Sequence, residues 1–196
     1  MKIGYAVQGS TDRAFLFGLK DRWCEDAEMI EGAFRGSTGL SLRRELAKIC
    51  DDLFSQKRCD VIVFLSDADN ANWREIQRRE VGKLPDPIRP FAVYGMADRN
   101  IECWLCADAQ YIAEKTHRAV AGFNVDDPKG AFESAMGVSR DDKRESEIAQ
   151  LVRDAHAHVL QRWLRKSKSF KDFYGQLVAV SKLRECVIEN LRESGA

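Results

Sequence analysis

Two hydrophobic periods alternate over the first hundred residues. Residues 2–7 form a short apolar run, the pattern of a buried strand. Gly9, Ser10, Thr11 and Asp12 follow, a turn with helix-capping chemistry. Ala14, Phe15, Leu16, Leu19 and Trp23 then recur as a helical stripe. Residues 27–34 read as a second strand, and Gly36, Ser37, Thr38 and Gly39 as a loop. Leu42, Leu46, Ile49, Leu53 and Phe54 return to helical spacing. Residues 60–66, D-V-I-V-F-L-S, are the strongest strand. A continuous β-branched and aromatic run predicts a central parallel strand covered on both faces.

Asp67, Ala68, Asp69 and Asn70 end that strand, and a helix is expected over 72–81. Pro85, Pro87 and Pro90 mark a loop before a fourth short strand over 91–94. Strand–helix alternation predicts a parallel α/β sheet. From Arg99 onward the pattern changes. Ile101, Trp104, Leu105 and Ile112 are helical, as is nearly everything after Pro128. The expected organisation is an α/β core over 1–110 and a helical extension over 111–196 packed on it as one compact unit.

Lys plus Arg number 31 and Asp plus Glu 31, so the formal net charge is zero. Any nucleic-acid contact must then come from a local patch, not from a global field. No apolar run approaches the roughly 18 residues of a membrane span. The apolar stretch at the start is too short for a signal peptide, and a cytoplasmic protein is expected. Six cysteines, Cys24, Cys50, Cys59, Cys103, Cys106 and Cys186, lie scattered in apolar patterns. They are expected to be reduced core residues.

In an open α/β sheet the working residues lie beyond the C-terminal strand ends. Two such ends carry polar sequence, Gln8 to Asp12 and Ser66 to Asn70. If the second stays extended, Asp67 and Asp69 point to one side. Paired carboxylates there suit Mg²⁺, and the same residues also suit a plain polar turn. Asp12 falls in a first helical turn, where capping alone would explain it. Asp98 and Glu102 flank a helix start, and Glu102 sits among apolar residues where it needs a partner. Cys103 and Cys106 are spaced C-x-x-C, but no second pair completes a zinc site, so packing is expected. His156 and His158, two apart in a helical stretch, do not share a face. Arg162, Arg165, Lys166, Lys168 and Lys171, interleaved with Phe170, Phe173 and Tyr174, form the densest basic segment. It fits nucleic-acid phosphates and equally a solvated helix face.

Gln8-Gly9-Ser10-Thr11-Asp12 followed by Asp67-Ala68-Asp69 resembles the Toprim pattern E-G-x-x-D and D-x-D of topoisomerases, primases and nucleases of the overcoming-lysogenization-defect type. The whole chain resembles small stand-alone Toprim-like proteins encoded beside ABC-type ATPases in defence-like loci. The segments V-Q-G-S-T-D-R-A-F-L, V-F-L-S-D-A-D-N, I-E-C-W-L-C-A-D, D-P-K and S-K-S-F carry the likeness. It implies a mostly parallel four-stranded Toprim-like sheet flanked by helices. It implies a Mg²⁺- or Mn²⁺-dependent nuclease on DNA or RNA, with an ATPase partner and a role in phage defence. Asp12, Asp67 and Asp69 would hold one metal, and Asp98 and Glu102 a second. Asp67 would take part in catalysis. Lys129 would neutralise transition-state charge, with Lys168 as the reserve. Gln8 stands where the pattern has a catalytic glutamate. An amide carries no net charge and shuttles no proton, which removes work worth about 10²–10⁴-fold. Either a natural inactive or metal-weak variant or an isosteric substitution in an intact motif fits. A Toprim-shaped binding module without catalysis is the second expectation. A HAD-like phosphatase or receiver-like domain is the third, disfavoured by its missing nucleophile context.

Overall fold

Val61, Val63 and Leu65 are buried on one side of a sheet, and Ile62 and Phe64 on the other. The computed structural model thus has the doubly covered central strand that the sequence predicts. It describes residues 1–34, 38–69, 72–117, 127–137, 141–180, 186, 188 and 191. Gly36 and Ser37 of the expected loop, and Asn70, lie outside the described residues.

The strands are β1 (Lys2–Val7), β2 (Glu28–Glu31), β3 (Val61–Asp67) and β4 (Ala92–Ala97). All pair in parallel, in the order β2-β1-β3-β4. The architecture is α/β, a four-stranded parallel sheet flanked by helices with a helical C-terminal region. Helix α1 (Ser10–Trp23) covers one face. The other face is covered by α2 (Gly39–Cys50), a π-helical continuation over Asp51–Gln56, and α3 (Trp73–Gly82). Connections leave β1 toward one edge and β3 toward the other, so helices on opposite faces are what right-handed crossovers require. The crevice between the C-terminal ends of β1 and β3 is therefore the topological switch point.

The fourth strand runs further than its apolar pattern suggests. Gly95, Met96 and Ala97 pair with Leu65, Ser66 and Asp67. Gly95 reads as a break in sequence, but a Cβ there would stand 2.6 Å from the Phe173 ring. The missing side chain is what lets the helix that carries Phe173 close on the sheet.

After β4 the described residues are mostly helical: α4 (Glu102–Leu105), α5 (Ala109–Thr116), α6 (Pro128–Met136), α7 (Asp141–Arg153), α8 (Ala157–Lys166) and α9 (Lys168–Ala179). These helices extend the core on the α1 face. Trp104 is fully buried there, stacks on Phe173 at 5.3 Å and donates Nε1–H to Ser169 Oγ at 2.7 Å. Gln176 of α9 closes the β4 edge, accepting from the Tyr94 amide at 2.9 Å and donating to its carbonyl at 3.1 Å. Among the described residues no helix is long and apolar enough to cross a membrane.

Two expectations are corrected. Cys24 and Cys186 are joined by a disulfide across 162 residues, not held as reduced core thiols; a pairing that distant leaves no signal in local pattern. His156 is the extended N-cap of α8 and lies outside the helix. The helical-face argument therefore does not apply, and its ring stacks on His158 at 5.6 Å. The remaining cysteines among those expected to be reduced, Cys50, Cys59, Cys103 and Cys106, are free thiols.

Candidate functional site

A cleft of about 520 Å³ opens at the switch point. Gln8, Asp12, Asp67, Asp69, Glu102, Lys129 and Arg144 all line it. The polar ends of β1 and β3, over fifty residues apart in sequence, meet there because the two strands are neighbours in the sheet.

Each acid is placed by a local structural reason. Gly9 caps α1, and Asp12, in its first turn, accepts the Gly9 amide at 3.0 Å. Capping thus explains one oxygen of Asp12. It does not explain a carboxylate only 4% exposed. Asp67 is the last residue of β3, and its Oδ1 is buried without a hydrogen-bond partner. Glu102 opens α4 and is 3% exposed. Asp69 departs from the expected geometry. The strand ends at Asp67, and Asp69 adopts φ 49°, the left-handed region that Asp tolerates better than most residues. Strand alternation therefore does not set its side. The turn does, folding over β4 through bonds from the Ala68 amide to Ala97 and from the Asp69 amide to Arg99.

These acids act on one another. Burial, then the neighbouring Asp12, Glu102 and Asp69 charges, pushes Asp67 up to about 9. Burial chiefly raises Asp12 to about 7, with Glu102 adding repulsion. Glu102 is also raised by burial, against the pull of Arg144 and Lys129. Without a cation the cluster keeps protons that ordinary carboxylates lose.

Gln8 faces its own constraint. Its Oε1 accepts the Asp67 amide at 3.0 Å, tying the two strand ends together. Its amide oxygen is thus already engaged.

Lys129, exposed at the start of α6, reaches the cleft and draws the Asp67 and Glu102 pKa values down. Asp98 is not among the lining residues, although its Oδ1 is also buried without a partner. Arg162, Arg165, Lys166, Lys168 and Lys171 lie on α8 and α9, away from the lining. Arg162 is engaged by Asp108 at 2.5 Å. In S-K-S-F, Ser167 caps α9 by accepting the Phe170 amide, and Ser169 holds Trp104. The Cys103 thiol donates to Asn100 Oδ1 in the same turn, and the Cys106 thiol to the Pro128 carbonyl of α6.

Sequence reasoning missed Arg144, the partner of Glu102 at 3.6 Å. It stands in the polar run D-D-K-R-E-S-E, which carries no signal separating it from a solvated helix face.

Among the described residues no group of three or more His, Cys, Asp or Glu side chains is set to hold a metal ion. Mg²⁺ asks for less, one or two carboxylates completed by waters and substrate phosphate. The orphaned Asp67 oxygen beside Asp12 fits that smaller requirement; a closed protein cage does not fit. No protein-family model, curated protein or solved structure matches the chain.

Proposed function

We propose that this chain acts on nucleic-acid phosphodiesters with a divalent cation at the acidic wall of the cleft. It would be a Toprim-like, Mg²⁺-dependent nuclease or nuclease-like subunit working in the cytoplasm. The observation that carries the reading is the cluster of buried Asp12 and Glu102 with half-buried Asp67, whose Oδ1 is buried without a partner, at the switch point. The protein spends stability to keep these carboxylates together, and a cation relieves that repulsion. Asp67 and Asp12 are the residues that would hold the ion, with Asp69 at the open side. A bound Mg²⁺ supplies charge stabilisation at the phosphoryl oxygen and an activated water. Lys129 adds positive charge at the mouth. Near-zero net charge leaves the grip on substrate to local groups or to a partner, for which the resemblance suggests an ABC-type ATPase.

Gln8 supports a second reading, a binding module without catalysis. Its amide oxygen is engaged by the Asp67 amide and takes no proton, so the chain has no general base at this position. One comparison tests both readings: cleavage of DNA and RNA with Mg²⁺ or Mn²⁺ by the chain, by Gln8→Glu, and by Asp67→Asn. Cleavage that needs the metal and Asp67 supports the nuclease. Metal-dependent binding without cleavage in any form supports the module. Neither binding nor cleavage rejects both.

A further inference from the structure

Gly18 decides where α7 lies. A Cβ there would stand 2.5 Å from the Ala149 carbonyl oxygen and 2.8 Å from Val152 Cβ, so the two helices approach to backbone contact. Contacts advance in step along both. Thr11 and Arg13 meet Arg144 and Glu145, Gly18 meets Ala149 and Val152, and Arg22 meets the Arg153 carbonyl. Helix α7 therefore runs parallel to α1, and its first turn arrives at the same end of the sheet as the start of α1. That geometry delivers Arg144 into the cleft with its side chain only 12% exposed.

The guanidinium donates to Thr11 Oγ1 at 2.5 Å and to Glu133, and lies 3.6 Å from Glu102. Those two hydrogen bonds use NH1 and NH2 and leave further donors of the planar fork. The cleft carries both signs of charge, and Glu102 and Asp127 line it beside the cations. Asp12, Asp67 and Asp69 come from the strand ends and the α1 start, and Lys129 and Arg144 from the helical region.

We propose that Arg144 is a substrate-binding residue, taking a non-bridging phosphate oxygen beside the carboxylates of the cleft. This rests on the phosphodiester reading above. A fork of N–H donors matches the oxygens of a phosphate in a way a lysine ammonium does not. Arg144 is already fixed by the α1–α7 contact, so it loses little freedom on binding; the exposed Lys129 loses more. Glu133, whose side chain is 38% exposed, is the partner the phosphate replaces. Glu102 and Thr11 keep the guanidinium in place during that exchange.

The test uses short fluorescein-labelled DNA and RNA oligomers with Mg²⁺, alongside calorimetry of Mg²⁺ alone. Arg144→Ala is expected to weaken oligomer binding about ten- to hundredfold, the range for a hydrogen bond to a charged group. Its Mg²⁺ affinity should stay equal or rise. Arg144→Lys should recover only part of the loss. Glu133→Gln should tighten oligomer binding, because it releases the fork, and that gain should vanish in the Arg144→Ala background. A purely structural arginine would give no such dependence. Arg144→Ala that folds and binds like the parent overturns the proposal while leaving the metal site standing. So does a Glu133→Gln gain that persists without Arg144. If Arg144→Ala does not fold, absence of any gain in Glu133→Gln alone overturns it. A parent chain that binds neither Mg²⁺ nor oligomer overturns both this proposal and the reading beneath it.

Discussion

The switch-point cleft and the α8–α9 shoulder are both dense in charge, and they treat it in opposite ways. In the cleft Asp12 and Glu102 are buried, and both titrate upward with Asp67, chiefly because burial disfavours their charged forms and, for Asp12 and Asp67, also because neighbouring carboxylates repel them. On the shoulder, Arg165, Lys166 and Lys168 are exposed, and Arg162, the least exposed of the basic set, is balanced by Asp108. The S-K-S-F motif there is spent on capping α9 and anchoring Trp104. Charge that is buried and poorly balanced is the kind that functional sites carry, whereas charge that is paired or solvated is accounted for by the fold.

The largest expected effect is at position 8. Gln8→Glu should raise metal-dependent cleavage by about 10²–10⁴-fold, the usual worth of a general acid or base. One carboxylate oxygen can keep the Asp67 amide bond while the other faces the cleft. Asp67→Asn in that background should remove the gain. A Gln8→Glu protein as inert as the parent, with Mg²⁺ bound, would dissolve the contrast in favour of a binding module.

Next in size are the structural contacts of the shoulder. Arg162→Ala leaves Asp108, only 2% exposed, without its cation. Ser169→Ala leaves the buried Trp104 N–H without an acceptor. Each should cost about 1–3 kcal/mol in urea unfolding. Neither should change Mg²⁺ affinity. A change in metal binding with unchanged stability would place the shoulder in the site after all.

Much of this contrast was legible in the sequence, and the remainder was hidden for definite reasons. The V-I-V-F-L run fixed a doubly covered strand, and the parallel sheet puts its end beside Gln8. Asp12, Asp67 and Asp69 could thus be named from two strand ends, and Glu102 from a helix start. Arg144 could not, because its arrival depends on the absence of a side chain at Gly18, a contact over a hundred residues away in sequence. Asp69 was assigned by strand alternation, but a left-handed residue breaks that alternation. Asp98 follows β4 at the same end of the sheet as the site yet does not line the cleft, which spacing in the sequence does not encode. Basic residues on helices look alike in sequence whether or not a buried Asp108 waits beneath them.

A smaller effect is expected in stability against pH. The Asp67 and Asp12 carboxyls rise from an unfolded value of 3.8 to about 9 and about 7. The folded protein therefore holds more protons than the unfolded chain across that window. Their contribution to stability is full below pH 3.8 and falls as pH rises through about 7 and about 9. Metal-free Asp67→Asn should melt about 2–4 °C above the parent at pH 8, the shift that ~1 kcal/mol gives in a chain of this size. Mg²⁺ should narrow the gap by stabilising only the parent. An Asp67→Asn protein that melts earlier at every pH would make Asp67 a turn residue.

The smallest expected effect is on the shoulder's exposed cations. Arg165 and Lys166 end α8 and Lys168 opens α9, all three solvated. Their triple replacement by Gln should leave stability within about 0.5 kcal/mol, the range of ordinary surface changes. Folding thus places no demand on them, and only a ligand could. If duplex nucleic acid runs from the cleft across the shoulder, each lost phosphate contact should flatten the plot of log affinity against log salt by about 0.9. If the cleft alone grips substrate, the slope should not move, since Lys129 and Arg144 remain. Titrating a labelled duplex at several salt concentrations separates the two. A reduced slope with unchanged Mg²⁺ affinity would extend the binding surface to α8 and α9. An unchanged slope would leave these residues as solvated helix ends and confine recognition to the switch point.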